Sequence, residues 1–240
     1  MSRTLRPRVV LFDVYNTLIE IRTDEHDPRV WEQLARFLRY QGLQLAGEPL
    51  RAAFFEQVRT MQQACGEAYP EIDMVRIFHH LLTAQGYACP DAFAVYLTQL
   101  LRTLSMRRFR PFPDTLRSLR TLRGAFPLGI ITDAQRVFVE PELVQAGIAE
   151  YFDVQVISSD NAFRKPDQRL FRQALQVVGV QPSDAIYVGD NLFRDVYGAQ
   201  AAGMRGVLVQ RGRRQEAAEV PCTPDCTIRT LDDLVQWLLP

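Results

Sequence analysis

The fold is decided by the segment RVVLFDVYNT, residues 8–17. Its first half is a short, uninterrupted apolar run, which is typical of a strand buried on both faces of a sheet. The run ends at Asp13, and the polar pair Asn16-Thr17 that follows favours a turn. Open parallel sheets bind their ligands beyond the carboxyl ends of their strands. Asp13 is therefore the first candidate for a functional residue.

The same pattern, an apolar run followed by polar residues, recurs in the second half of the chain. The runs are residues 128–131, 154–157 and 185–188, and they end at Thr132-Asp133, Ser158-Ser159-Asp160 and Gly189-Asp190. Segments with helical periodicity separate them, including a helix predicted at 193–202. An apolar triplet at 207–209 and a helix capped by Thr230 follow. Strands that alternate with helices predict a parallel sheet covered on both faces.

Between these two parts, residues 27–105 have a purely helical pattern. Apolar residues at helical spacing form four stripes, which contain Trp31, Phe54, Phe78 and Leu97. Clusters of Gly and Pro separate the stripes, as expected between helices. The sequence therefore predicts one doubly wound α/β domain, residues 1–19 and 109–240, interrupted by a four-helix domain, residues 20–108.

The composition is that of an ordinary globular protein. Of the 240 residues, 47% are hydrophobic and 23% are charged, and the formal net charge is zero. A neutral chain has no general attraction for nucleic acid or anionic membranes, and no stretch reaches the ~18 apolar residues that a membrane span needs. The four cysteines are expected to be free thiols. We therefore expect a cytoplasmic protein that binds a small molecule rather than nucleic acid or a membrane.

Lys165 is the only lysine among the 28 basic residues of the chain. Lysine is a compact, strongly hydrated point charge, whereas arginine is a broad planar fork. A tight anionic site that needs a small cation would not accept arginine in its place. Lys165 follows one of the predicted strands, and Asp13, Asp190 and Asp195 are expected at the same sheet edge. Three acids and one small cation suit a divalent metal ion and an anionic substrate.

These segments resemble the four motifs of the haloacid dehalogenase (HAD) superfamily. The matching segments are Phe12-Asp13-Val14-Tyr15-Asn16-Thr17-Leu18, Ile131-Thr132-Asp133, Arg164-Lys165-Pro166-Asp167, and Val188-Gly189-Asp190-Asn191 with Asp195. They occur in the family's order and cover the α/β domain, and the helical insert resembles the family's mobile cap. The resemblance implies a Rossmann-like HAD core and hydrolase activity.

The resemblance also implies a role for each matching residue. Asp13 would attack the substrate and form a covalent aspartyl intermediate. Lys165 would neutralise and orient the surrounding anions, and Thr132 would hold oxygens of the transferring group. The residues that would bind Mg²⁺ are Asp13, Tyr15 through its backbone carbonyl, Asp190, and Asp195 as a direct or indirect partner.

Tyr15 departs from the phosphatases of the family, which carry a second aspartate at this position. That aspartate protonates the leaving alkoxide and later activates water, and a phenol with a pKa near ~10 cannot replace it at neutral pH. Asp-x-Tyr-x-Thr resembles instead the 2-haloacid dehalogenases, whose halide leaves without a proton. Gly189-Asp190 and Thr132-Asp133 resemble the phosphatases instead. The 2-haloacid dehalogenases are metal-independent, carry a Ser/Asn-rich segment in place of Gly189-Asp190, and favour Ser-Asn in the second motif.

Three functions stay open at this point. The favoured one is Mg²⁺-dependent hydrolysis of a small phosphorylated metabolite with a good leaving group, because three carboxylates without a metal would repel one another. The second is 2-haloacid dehalogenation, which Tyr15 favours. The third is a catalytically weak HAD protein with a binding role, and the intact Asp13, Thr132 and Lys165 argue against it.

Overall fold

The structure, a computed structural model, describes residues 7–212 and 220–239. Within these residues the strands are β1 (Val9–Phe12), β2 (Ile19–Thr23), β3 (Met106–Pro111), β4 (Leu128–Thr132), β5 (Val154–Ile157), β6 (Ala185–Gly189), β7 (Arg205–Val209) and β8 (Cys226–Ile228). The α-helices are α1 (Pro28–Tyr40), α2 (Gly47–Ala64), α3 (Met74–Ala84), α4 (Asp91–Ser105), α5 (Thr115–Arg123), α6 (Arg136–Gln145), α7 (Gln168–Val178), α8 (Gly198–Ala201) and α9 (Leu231–Leu238). None of these helices is both long and apolar enough to cross a lipid bilayer.

Six strands form a parallel sheet in the order β5-β4-β1-β6-β7-β8. Strand β1 lies inside the sheet, where Leu11 pairs with Gly129 of β4 and with Tyr187 of β6. All residues of β1 are buried, as its apolar run predicts. The carboxyl ends of β1, β4 and β6 consequently meet at one edge of the sheet. The predicted doubly wound α/β fold is confirmed.

Helices cover both faces of this sheet, and the side chains of β1 alternate between them. Val10 and Phe12 face a cluster built with α5, α6 and α9. Val9 and Leu11 face a second cluster, which contains Phe171 of α7. Because successive side chains of a strand point to opposite faces, a strand that is covered on both sides has to be apolar at every position.

Residues 24–105, which we call the cap, comprise helices α1 to α4 and the segments between them, and they pack around a separate apolar cluster that includes Trp31, Phe54, Phe78 and Leu97. The remainder of the described structure is called the core. The chain enters and leaves the cap through an antiparallel ribbon of β2 and β3, in which Ile21 pairs with Phe109. The predicted boundaries, 19/20 and 108/109, fall inside this ribbon, so the division into domains stays a prediction.

Two details at the ends of helices bear on the sequence predictions. The helix predicted at 193–202 is a π-helical turn, Leu192–Tyr197, that continues into the short α8. Such widened turns are rare and are frequently found at functional sites. The helix predicted to be capped by Thr230 is α9. The Thr230 side chain accepts a hydrogen bond from the amide of Asp233, and the Asp233 carboxylate accepts one from the amide of Thr230.

Candidate active site

The strand ends bring the predicted acids together. Asp13 directly follows β1, and Asp190 directly follows β6. The amide of Asp13 donates to the carbonyl of Val188 on β6 at 2.9 Å, which fixes the start of the loop. Carboxylate oxygens of Asp13, Asp190 and Asp195 lie within 4.8 Å of one another. These three residues are separated in the sequence, and the sheet places them at one point.

Lys165 contacts two of these acids directly. Its Nζ donates to Asp13 Oδ1 at 2.8 Å, to Asp195 Oδ1 at 2.7 Å and to the hydroxyl of Tyr187 at 2.9 Å. The side chain is only 2% exposed. Burial alone would lower the pKa of Lys165, but Asp13 and Asp195 raise it well above its ordinary value. The ammonium group is therefore charged, and each of its three hydrogens has an acceptor.

Tyr187 is a site residue that the sequence analysis did not identify. Its hydroxyl accepts from Lys165 and donates to the carbonyl of Ile131 on β4 at 2.6 Å. The phenol thus connects the lysine to the neighbouring strand. The only signal in the sequence is that Tyr187 carries the one polar group in an otherwise apolar run, residues 185–188.

Asp195 is placed by the π-helical turn and by a glycine. Its Oδ1 accepts from Lys165, and its Oδ2 accepts from the amide of Asn191 at 2.8 Å. A Cβ atom on Gly189 would come closer than 3.0 Å to three side-chain atoms of Asp195. Glycine at 189 is therefore a steric requirement for this position of Asp195.

Burial and neighbouring negative charge raise the pKa of Asp190 and of Asp13. Burial, followed by the charges of Asp13 and Asp195, raises the pKa of Asp190 from 3.8 to about 7. Burial also raises the pKa of Asp13, although Lys165 opposes that shift. The negative charge of the cluster is therefore only partly balanced by the lysine. Clustered carboxylate oxygens are the ligands that Mg²⁺ prefers, so the residues present fit such an ion.

Thr132 and Asp133 lie beside this cluster at the end of β4. Thr132 is fully buried, and within the described residues its hydroxyl has no hydrogen-bond partner. A buried polar group without a partner is costly, which fits a hydroxyl that serves a bound ligand. Asp133 Oδ1 accepts from the amide of Lys165 at 2.9 Å, and its Oδ2 lies 3.7 Å from the guanidinium of Arg194. Arg194 was not identified from the sequence.

Tyr15 is held by two further residues that the sequence analysis missed. Its hydroxyl donates to the carboxylate of Glu142 on α6. Arg102 of the cap pairs with both oxygens of Glu142, and its guanidinium lies 5.2 Å from the centre of the Tyr15 ring. Burial, followed by the charge of Glu142, raises the pKa of Tyr15 well above 10.0. The phenol therefore keeps its proton. No pattern in the sequence distinguishes Arg102 or Glu142 from charged residues on a helix surface.

A segment of the cap, residues 69–74, reaches the same edge of the sheet. The amide of Glu71 donates to the carbonyl of Ala162 in the core at 2.9 Å, and the amide of Arg164 donates to the carbonyl of Tyr69 at 2.9 Å. These reciprocal backbone bonds seat the cap directly beside the loop that carries the catalytic lysine candidate.

Side chains reinforce this seating. Gln135 of the core donates to the carbonyl of Ile72 at 2.8 Å and accepts from the amide of Met74 at 2.9 Å. The hydroxyl of Ser158 donates to the carboxylate of Glu71. Burial, which outweighs the bond from Ser158, raises the pKa of Glu71. The cap therefore contacts the core through buried polar groups.

Comparisons with known proteins identify the family of this chain. Residues 7–203 match the family model of the haloacid dehalogenase-like hydrolases. A glyceraldehyde 3-phosphate phosphatase of Methanothermobacter thermautotrophicus is 27% identical over 95% of this chain and 97% of its own length. A phosphoserine phosphatase of Thermus thermophilus is 38% identical over 66% of this chain, which spans only 62% of that relative.

A solved structure shows the same fold over the whole chain. The 2-haloacid dehalogenase of Pseudomonas syringae pv. Tomato DC3000 superposes with a TM-score of 0.65 at 25% identity, covering 97% of this chain and 98% of the other. The relatives thus include proteins named as phosphatases and a protein named as a dehalogenase. The family match over residues 7–203 shows that the chain belongs to the haloacid dehalogenase-like hydrolases.

Proposed function

We propose that the protein is a Mg²⁺-dependent phosphatase that hydrolyses a small phosphorylated metabolite in the cytoplasm. The observation that carries this proposal is the cluster of Asp13, Asp190 and Asp195, whose oxygens lie within 4.8 Å of one another. Three carboxylates at this spacing repel one another, and Lys165 alone does not offset the repulsion. A divalent cation would remove it, whereas metal-independent dehalogenation would leave it. The relatives named as phosphatases support the proposal.

Each residue of the cluster has a part in this proposed reaction. A carboxylate oxygen of Asp13 attacks phosphorus, the bond to the leaving oxygen breaks, and an aspartyl phosphate forms that water then hydrolyses. Lys165 supplies positive charge beside the nucleophile, and Asp195 positions Lys165. The hydroxyl of Thr132 donates to a phosphoryl oxygen. Mg²⁺ bound by Asp13, the carbonyl of Tyr15 and Asp190 would neutralise the phosphoryl oxygens.

Tyr15 restricts the substrates in this proposal. The single proton of its phenol is donated to Glu142, and the raised pKa keeps it there. Tyr15 therefore supplies no proton to a leaving alkoxide. We infer that the preferred substrates are small anionic phosphates whose leaving group departs as a stable anion, such as acyl or aryl phosphates.

The test is an assay of phosphate release from a panel of alkyl, aryl and acyl phosphates, with and without Mg²⁺. We expect release that requires Mg²⁺, that is fastest with acyl and aryl phosphates, and that falls at least about 100-fold in Asp13→Asn. Glu56→Gln, which alters an exposed carboxylate of the cap, is the matched control and should keep full activity. Absence of metal-dependent, Asp13-dependent release from every substrate would contradict the proposal.

The absence of a proton supply at position 15 can be tested separately. Tyr15→Asp introduces a carboxyl group that can act as an acid and base, so turnover of alkyl phosphates should rise by roughly 10-fold or more. Aryl phosphates, which leave without a proton, should change less than about 2-fold. The measurement is kcat for a pair of substrates that differ only in the leaving group. Equal effects on both substrates would show that the proton supply at position 15 is not limiting.

A second candidate function is 2-haloacid dehalogenation. The observations that favour it are Tyr15 within Asp-x-Tyr-x-Thr and the structural similarity to a 2-haloacid dehalogenase. Release of chloride from 2-chloropropionate that persists in the presence of a chelator would favour this function over the first.

A further inference from the structure

Arg102 forms a buried ion pair between the cap and the core. It lies in the last turn of α4, and its Nε and Nη2 donate to the two carboxylate oxygens of Glu142 on α6 at 2.7 and 3.0 Å. The two side chains are 13% and 6% exposed. The guanidinium also lies 4.9 Å from the ring centre of Phe138 on α6. Removing one partner of such a pair leaves a buried charge without compensation.

Glu142 connects this pair to the active site. Its carboxylate accepts the hydrogen bond of the Tyr15 phenol, and the Arg102 guanidinium lies over the Tyr15 ring. Tyr15 is two residues from the nucleophile Asp13, and its carbonyl is a proposed metal ligand. One continuous set of contacts therefore runs from a cap helix through a core helix to the loop of the nucleophile.

We propose that Arg102 is a positioning residue, carried by the cap, that fixes Tyr15 through Glu142 only while the cap is seated on the core. When the cap lifts, Glu142 loses its guanidinium partner and the ring of Tyr15 loses the cation over its face. The loop from Asp13 to Tyr15 then lacks the contacts that hold it. The active arrangement of the site is thereby coupled to cap closure. The kinetic test of this inference rests on the proposed function, whereas the exchange test below does not.

The kinetic test is Arg102→Met, which keeps an unbranched side chain against Phe138 and removes the charge. If the closed, assembled state becomes less populated, the apparent affinity falls by the same factor, because only that fraction binds productively. We expect KM to rise about 10-fold and kcat to change less than about 3-fold. Arg59→Met, on an exposed position of α2, is the control and should match the wild type.

A double variant tests whether Arg102 acts through Glu142. Arg102→Met combined with Glu142→Gln should raise KM no more than Arg102→Met alone, since both substitutions break the same contact. Tyr15→Phe removes only the hydroxyl at the end of these contacts. It should raise KM less than Arg102→Met or Glu142→Gln alone. Additive effects of the Arg102 and Glu142 substitutions would overturn the proposed chain of contacts.

Hydrogen exchange tests the seating of the cap without any assay of activity. The amides of Glu71 and Arg164 donate across the boundary between cap and core, so their exchange rates report cap opening. We expect Arg102→Met to speed exchange at both amides about 10-fold. The amides of Val10 and Asp153, which donate within the core, should keep their wild-type rates.

Two outcomes of the exchange test would overturn the proposal. Equal acceleration at all four amides would show that Arg102 stabilises the whole fold, and unchanged rates at Glu71 and Arg164 would show that it does not seat the cap. Arg102→Lys, which keeps the charge but loses the bidentate fork, should give a smaller shift in the same direction and replaces Arg102→Met if that variant does not fold. Absence of phosphate release from the wild type would contradict the proposed function and leave the exchange result decisive.

Discussion

The ammonium group of Lys165 has three hydrogens, and Asp13, Asp195 and Tyr187 accept one each. This match explains why a chain that otherwise uses arginine has lysine here. The sequence predicted Asp13 and Lys165 from their places after buried strands, and Asp195 from the segment that resembles the family's fourth motif. It did not predict Tyr187, because a tyrosine inside an apolar run is as well explained by packing in the core.

Replacing Lys165 by arginine should abolish most of the activity although the charge is retained. A planar guanidinium with five N–H groups cannot direct single hydrogens to three converging acceptors in a site that is 2% exposed. We expect kcat for phosphate release to fall at least about 100-fold in Lys165→Arg. Circular dichroism should confirm that the variant is folded. Activity close to that of the wild type would mean that charge alone, and not shape, matters at this position.

Gly189→Ala should inactivate the site by displacing Asp195. The added methyl group would approach Asp195 more closely than 3.0 Å, so the aspartate would have to leave Lys165. We expect activity to fall at least about 30-fold, because the lysine would lose one of its fixed acceptors. Gly124→Ala is the matched control, since the nearest atom to its Cβ lies at 3.4 Å. A variant with normal activity would show that Asp195 can shift without affecting the reaction.

At the level of the elements, the sequence predicted the strands that are buried on both faces. Their apolar runs are unambiguous, as in 9–12 and 128–131. It did not predict the ribbon of β2 and β3, whose short strands carry charged residues such as Glu20, Arg108 and Arg110 that pair on the surface. The sequence also predicted a regular helix at 193–202 and missed the π-helical turn, because one extra residue in a turn changes the apolar periodicity very little.

The buried carboxyl of Glu71 in the cap segment at 69–74 predicts that seating of the cap depends on pH. Burial, partly opposed by a bond from Ser158, raises the pKa of Glu71 above its ordinary value of 4.5. A lifted cap would expose this carboxyl to water and restore the ordinary pKa. A group whose pKa is higher in the seated state favours seating when it is protonated. Seating should therefore be strongest below pH 4.5 and weaken as the pH rises through the raised pKa.

Glu71→Gln should remove this pH dependence, because the amide cannot ionise and still accepts a hydrogen bond from Ser158. The measurement is the exchange rate of the Arg164 amide relative to that of Val10, between about pH 4 and about pH 7. The ratio should rise with pH in the wild type and stay flat in Glu71→Gln. The control, Glu56→Gln, should behave as the wild type does. A rising ratio in Glu71→Gln would assign the effect to another group.

At the level of the whole molecule, one buried ion pair joins distant parts of the core. Arg211 donates to both oxygens of Asp114 at 3.0 and 2.8 Å and to the carbonyl of Thr17 at 2.9 Å. The same aspartate accepts from the amide of Leu231 at the start of α9. The turn after β1, the start of α5 and the last helix therefore depend on a single pair.

Arg211→Met should consequently destabilise the fold. Asp114 is 3% exposed, and loss of its partner leaves a buried charge, which costs about 3–5 kcal/mol. The measurement is the free energy of unfolding in urea. Arg117→Met breaks an ion pair with Asp232 at the surface, where the arginine side chain is 61% exposed, and should cause no measurable change. A similar effect of both substitutions would show that burial does not determine the contribution of the pair.

The sequence predicts the site residues of the core better than the contacts that the cap makes with the site. The residues at strand ends, such as Asp13 and Asp190, follow from the rule that parallel strands end at a common edge. The contacts made by the cap, through Arg102 and Glu71, do not follow from any local rule. They depend on how the cap and the core pack against each other. The apolar periodicity of each unit predicts its own core but not its orientation relative to the other unit.

The paired strands at the base of the cap have an evolutionary consequence. Thr23 and Met106 are partners in the ribbon, so the chain enters and leaves the cap at neighbouring positions. A segment with adjoining ends can be exchanged, lengthened or deleted by recombination while the frame around it stays intact. Replacement of the cap would therefore exchange its contacts with the site, including those of Arg102, while the acids and the lysine of the core are retained.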